Sequence, residues 1–155
     1  MCIRDRIGPI QFIPHIRESW PSIHRALGRM YTLSVLCSAL SGFYFALRPV
    51  GGVIVGAGFG VLSILWTVTI LVAWRYAVRA NIPMHCSWMA FNYALTFAAA
   101  TLRIELGLMI VLGISFKMAF AIASWTCWLG NIVVLLSYRH LHRRQTSVQH
   151  LELTG

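Results

Sequence analysis

Acidic side chains are scarce in this chain: Asp and Glu total 4 against 13 Lys and Arg, and only 11% of its 155 residues are charged. Paired carboxylates for general acid–base work do not occur, nor does a Ser-His-Asp set, a P-loop or a Rossmann glycine fingerprint, so hydrolase and nucleotide chemistry have no support. The four cysteines, Cys2, Cys37, Cys86 and Cys127, share no C-x-x-C spacing. Neither a disulfide framework nor a zinc site is expected from them, and no catalytic residue set is assigned. The formal charge of +9 would in another chain point to nucleic acid. Here the cations lie in short connections between apolar runs and leave no basic face, so no nucleic-acid partner is expected.

What the chain has in abundance is apolar sequence, at 58% of residues. The runs from Met30 to Leu47, Val53 to Trp74 and Met118 to Tyr138 are each long enough to cross a hydrocarbon core of roughly 30 Å. A fourth, Trp88 to Leu102, reaches that length with its interfacial ends. The expected fold is all-α, a polytopic transmembrane helical bundle with complete spans at about 28–47, 53–76, 86–104 and 118–138, and the lipid bilayer is its first partner. In this threading Arg17, Arg25, Arg29, Arg75, Arg79, Arg139, Arg143 and Arg144 fall on one side, against Arg48, Arg103 and Lys117 on the other. The positive-inside rule makes the richer side cytoplasmic, which places the carboxyl terminus there, with Arg25 and Arg29 anchoring the first span at the headgroups.

The opening "MCIRDR", residues 1–6, matches no signal peptide and resembles a translated sequencing-adapter remnant; the membrane domain is taken as 7–144 and a polar, disordered cytoplasmic tail as 145–155. Ile7 to Pro14 is apolar but too short to span, and reads as the last turns of an upstream helix truncated from the chain. Ser19 or Ser22 can cap the first span, with Pro21 in its first turn, which puts His24 inside the helix. Gly52, Gly56 and Gly60 recur every four residues, as do Ser34, Ser38 and Gly42, so the first two spans are expected to pack closely. Asn81 is the expected cap of the third span, with Pro83 in its first turn. Glu105 to Phe116 is too short to cross and is expected as an interfacial or re-entrant piece. Most of the six tryptophans, Trp20, Trp66, Trp74, Trp88, Trp125 and Trp128, fit interfacial belts.

His24 and His85 are the sharpest candidates for chemistry. The two spans that carry them run the same way, so both imidazoles fall at one membrane depth, each shortly after a proline. A helix amino terminus favours the neutral ring that ligates metals, and two such rings from different helices are what haem b needs as axial ligands. Gly28, one turn after His24, leaves room for a flat group. The competing reading makes both histidines interfacial hydrogen-bonding groups. His140 and His142 read as a snorkelling basic end, and His15 and His150 have no assigned partner. A second constellation is the stripe His85, Trp88, Asn92, Thr96, Ala99 and Arg103 on one face of the third span. Asn92 needs a partner inside the membrane, and Asn131, on the stripe Ser124, Trp128, Asn131, Leu135 and Tyr138, is expected to supply it. The pair is then either interhelical glue or the lining of a small-solute cavity. Arg103 reads as an outer anchor that snorkels.

"GPIQF" at Gly8–Phe12, "HRALGRMY" at His24–Tyr31, "WMAFNYALTFAAATLR" at Trp88–Arg103 and "WTCWLGN" at Trp125–Asn131 resemble, in this order, a predicted-membrane-protein family widespread in bacteria, domain of unknown function 2306. The resemblance covers nearly the whole chain after residue 6. Family members usually carry His-Arg at both helix starts; here Cys86 follows His85, and Asn92 stands where a serine is common, which weakens a phosphate-binding reading. The resemblance implies further helices upstream of Gly8 and a location in the bacterial inner membrane, with no activity attached. The leading expectation is an integral inner-membrane protein of unassigned role. The alternatives are a haem b electron carrier ligated by His24 and His85, and a small-solute transporter or receptor using the Asn92 and Asn131 cavity, with Thr96 and Arg103 as further polar groups of that stripe. Either a homo-oligomer or a membrane redox partner would suit the carrier.

Overall fold

A computed structural model describes residues 21–48 and 51–152, with side chains placed between 22 and 141. The expected adapter remnant, the 7–14 segment, His15, Ser19 and Trp20 lie outside the described residues, as do the side chains of His142, Arg143, Arg144 and His150. Four helices follow one another: α1 Pro21–Leu47, α2 Val53–Val78, α3 Ile82–Val111 and α4 Phe116–Glu152. Each contains a stretch long and apolar enough to cross a membrane, and no strand occurs among the described residues. The chain is a multi-pass, all-helical membrane protein.

The helix ends show why the chain turns where it does. α2 closes in a Schellman motif: the Asn81 N–H donates to Tyr76 O and the Ala80 N–H to Ala77 O, with Ala80 in the left-handed region at φ 55°. Asn81 then caps α3, its side-chain oxygen accepting from the Met84 N–H at 3.3 Å as the sequence predicts. One residue thus ends α2 and starts α3. α3 closes in the same way, with Ile114 N–H to Met109 O and Gly113 N–H to Ile110 O, and here the left-handed position at φ 83° belongs to glycine.

Two sequence expectations are corrected. Glu105 to Phe116 is not a separate interfacial piece: α3 runs unbroken to Val111. The carboxylate of Glu105 accepts from the Thr126 hydroxyl of α4, and the first left-handed residue after it is Gly113, with Gly107 kept inside the helix, so one charge does not end α3. Likewise α4 stays helical through Glu152 instead of becoming irregular after the last apolar residues. Arg, Gln and Leu are good helix formers and no Gly or Pro intervenes, so falling hydropathy there marks no end of the helix.

Two compact units meet between Ser38 and Ala39. In the first, the described part of α1 is regular helix in which Thr32 and Ser34 return their hydroxyls to Gly28 O and Met30 O, the usual way to satisfy such groups in lipid. The second holds the end of α1 with α2, α3 and α4. α3 packs most extensively, against both α2 and α4, while the α2–α4 contact is smaller. Its buried positions are mostly small: Gly58, Ala73, Ala94, Ala98, Ala119, Ala123 and Ser124 let backbones approach, as expected where lipid removes the hydrophobic drive between helices. A cluster of Leu95, Ala98, Cys127 and Trp128, flanked by Trp66 and Trp125, fills the α2–α3–α4 interior. Large apolar side chains such as Val53, Val111 and Val134 face outward, where the hydrocarbon lies. Of the glycine series, Gly42 meets Ser63 and Gly60 meets Ala46, but Gly52 stands before α2 with open space around it.

Candidate functional site

The α2–α3 seam is a line of polar bonds. At its first rung His85, half-buried, points Nδ1 at Ala73 O at 2.9 Å. A carbonyl oxygen can only accept, so Nδ1 carries the hydrogen, and in the neutral ring Nε2 is left as a bare acceptor or ligand atom. Two turns along, Asn92 is fully buried and donates from Nδ2 to Trp66 O at 3.0 Å and to Thr69 Oγ1 at 2.9 Å. A third rung has the Trp66 indole N–H donating to Thr96 Oγ1 at 3.0 Å, while that hydroxyl donates to Asn92 O at 2.9 Å.

Asn131 belongs to the other seam. Its Nδ2 donates to Ala94 O at 3.2 Å and its Oδ1 accepts from Thr101 Oγ1 at 3.2 Å, both on α3. The expected Asn92–Asn131 partnership is therefore corrected: their amide groups are directed to different helices. Register explains it. Thr126 lies opposite Glu105 and Arg139 opposite Ser87, which sets Asn131 across from the stretch between Ala94 and Thr101. Asn92 lies below the middle of that stretch by about 8 Å, at 1.5 Å per residue. Both amide hydrogens of Asn92 are spent on α2, which leaves neither for a solute.

Arg103 is exposed and hooks back to Ala99 O at 2.6 Å, one turn earlier on its own helix. His24 is half-buried in the first unit, near the start of α1. Three tryptophans bond across or along the bundle: Trp66, Trp125 and Trp128 place their indole N–H groups on Thr96 Oγ1, Ile54 O and Ser124 O. Sequence reading missed Ala73, Thr69 and Trp66 as partners of the α3 stripe. The available signal was spacing, since Trp66, Thr69 and Ala73 follow steps of three and four that mirror those on α3.

At the end of the bundle where α2 stops and α3 starts, Arg139 of α4 donates to Ser87 O at 2.9 Å and lies over the Phe91 ring at 4.5 Å. No group of three or more His, Cys, Asp or Glu side chains converges among the described residues. A ligand held by two axial imidazoles needs no such group. No curated protein and no solved structure matches the chain. A family model matches residues 2–138, in keeping with the four long apolar helices: the chain belongs to the predicted membrane protein family DUF2306.

Proposed function

We propose that this multi-pass membrane protein is a haem b electron carrier of the bacterial inner membrane, in which His85 would hold the haem iron. The observation that supports it is the His85 Nδ1 bond to Ala73 O. Metal-ligating histidines commonly donate their other ring N–H to a carbonyl or carboxylate, which fixes the tautomer and aims the ligating nitrogen. Here the second nitrogen, Nε2, is the one left for iron. Haem supplies reversible one-electron chemistry when bound. The chain's own residues do the rest: Ala73 O holds the ring, and Asn81 starts the helix that carries it.

The orientation rests on the whole sequence. Within the second unit Arg75, Arg79 and Arg139 lie at one end of α2–α4 and Arg48, Arg103 and Lys117 at the other, so the excess comes from Arg17, Arg25, Arg29, Arg143 and Arg144. The richer end is the cytoplasmic one in this proposal, and the carrier exchanges electrons with a membrane redox partner. A carboxyl-terminal reporter active only in the periplasm would overturn that orientation.

The deciding experiment is a reduced-minus-oxidised absorption spectrum of the full chain, purified from haem-replete cells, beside His24→Ala and His85→Ala. A haem b signal lost in His85→Ala supports the proposal, and His24→Ala tests the other candidate named from the sequence. A colourless wild-type protein, or a signal indifferent to His85→Ala, refutes it.

A further inference from the structure

The two rungs of the α2–α3 seam repeat at one spacing. Seven residues separate His85 from Asn92 on α3, and seven separate Trp66 from Ala73 on α2. The bond at His85 and the bonds at Asn92 are thus two turns apart, about 10 Å, on both of these antiparallel helices. Any slide of α3 that breaks one breaks the other by the same displacement.

The rungs differ in what they specify. His85 accepts help from a backbone carbonyl, and every turn of α2 offers one, so a slip or a small rotation could give the imidazole a different carbonyl. Asn92 instead needs a particular side chain, Thr69, together with Trp66 O, and it is wholly enclosed by protein. Thr69 is itself held, its hydroxyl donating to Trp66 O at 3.1 Å. Trp66 closes the set through Thr96. A slip would leave the Asn92 amide unpaired in an apolar interior, a cost that a displaced carbonyl does not impose on His85. A single buried asparagine sets register in helix pairs for the same reason.

We infer that Asn92 is a positioning residue for His85: by bonding Thr69 and Trp66 it fixes the α2–α3 register that points the His85 Nδ1–H at Ala73 O and presents Nε2 as the ligand atom. The inference deepens the haem reading and takes its purpose from it, but the ring's orientation is measurable without haem.

The test uses the full chain with 15N-labelled histidine, in wild type, Asn92→Leu, Thr69→Val and Thr69→Ser. The readouts are the His85 ring nitrogen shifts, assigned by loss in His85→Ala, and, on the haem-loaded protein, the midpoint potential and the ferric electron paramagnetic resonance spectrum. Wild type and Thr69→Ser should show a single Nδ1-protonated ring. Asn92→Leu and Thr69→Val should show shifted or split His85 ring-nitrogen signals, because the ring meets a displaced carbonyl, with a shifted potential and altered ferric signals where haem is present. Thr69→Val removes the acceptor while keeping volume, so it carries the test if Asn92→Leu does not fold. A folded Asn92→Leu or Thr69→Val protein with the wild-type His85 signature overturns the inference. A colourless wild type whose His85 ring signals still depend on Asn92 removes the haem reading and leaves the positioning role standing.

Discussion

Gly58 of α2 lies against the backbone of Ser124 on α4, so closely that a Cβ placed on it would come within 2.8 Å of the Ser124 carbonyl oxygen. Backbone cannot swing aside as a side chain can, so Gly58→Ala must part the two helices. The same contact carries the Trp125 indole N–H to Ile54 O, which would lengthen with it. Gly58→Ala is expected to destabilise the bundle by about 1–3 kcal/mol, the usual cost of overpacking. Gly107→Ala is the control, because nothing lies within 4 Å of its added methyl. Unfolding of both variants in detergent micelles measures the difference, and equal midpoints would contradict the close approach.

Ala80 occupies the left-handed position of the α2 Schellman motif, where a Cβ is penalised and glycine is favoured. Ala80→Gly should therefore stabilise the protein by about 1 kcal/mol, and Gly113→Ala, at the matching position after α3, should destabilise it by a similar amount. Opposite signs in the same unfolding assay are the expected result.

Local bonds were legible in the sequence and distant ones were not. The Asn81 cap spans three residues, so the pattern of asparagine, proline and apolar run was enough to find it. The apolar runs likewise marked the spans, because lipid imposes both their length and their composition. The partner of Asn92 lies 23 residues away on another helix, and finding it needs the rotation and register of two helices, which hydropathy does not encode. Glu105 misled for a related reason. A charge reads as a boundary until the Thr126 hydroxyl that meets it is placed.

Arg139 is half-buried at the α3–α4 seam, where its flat guanidinium covers the Phe91 ring and donates to Ser87 O. Lysine keeps the charge but neither the planar stack nor the forked donors. Arg139→Lys is expected to cost about 0.5–1 kcal/mol. In a double-mutant cycle with Phe91→Leu the two losses should overlap, so that the combined variant is less destabilised than the sum. Strict additivity would show that the ring and the guanidinium do not interact.

Glu105 is the one carboxylate between residues 22 and 141, and its Oε2 accepts from Thr126 Oγ1 at 2.6 Å, joining α3 to α4 near the end opposite Arg139. Thr126 also returns its hydroxyl to Ile122 O at 3.2 Å, so that one hydrogen is shared between an acceptor on its own helix and one across the seam. Thr126→Val leaves the carboxylate without this donor while Ile122 O keeps its helical bond. The expected loss is about 1 kcal/mol, modest because Thr126 is exposed. Glu105→Gln preserves an acceptor oxygen at the same place and should cost less than Thr126→Val. In the Glu105→Gln background Thr126→Val should cost less than it does in wild type, because a neutral acceptor loses less when its donor is removed. An unchanged cost in that background would mean that the hydroxyl serves Ile122 alone, and that the carboxylate plays no part in holding α3 to α4.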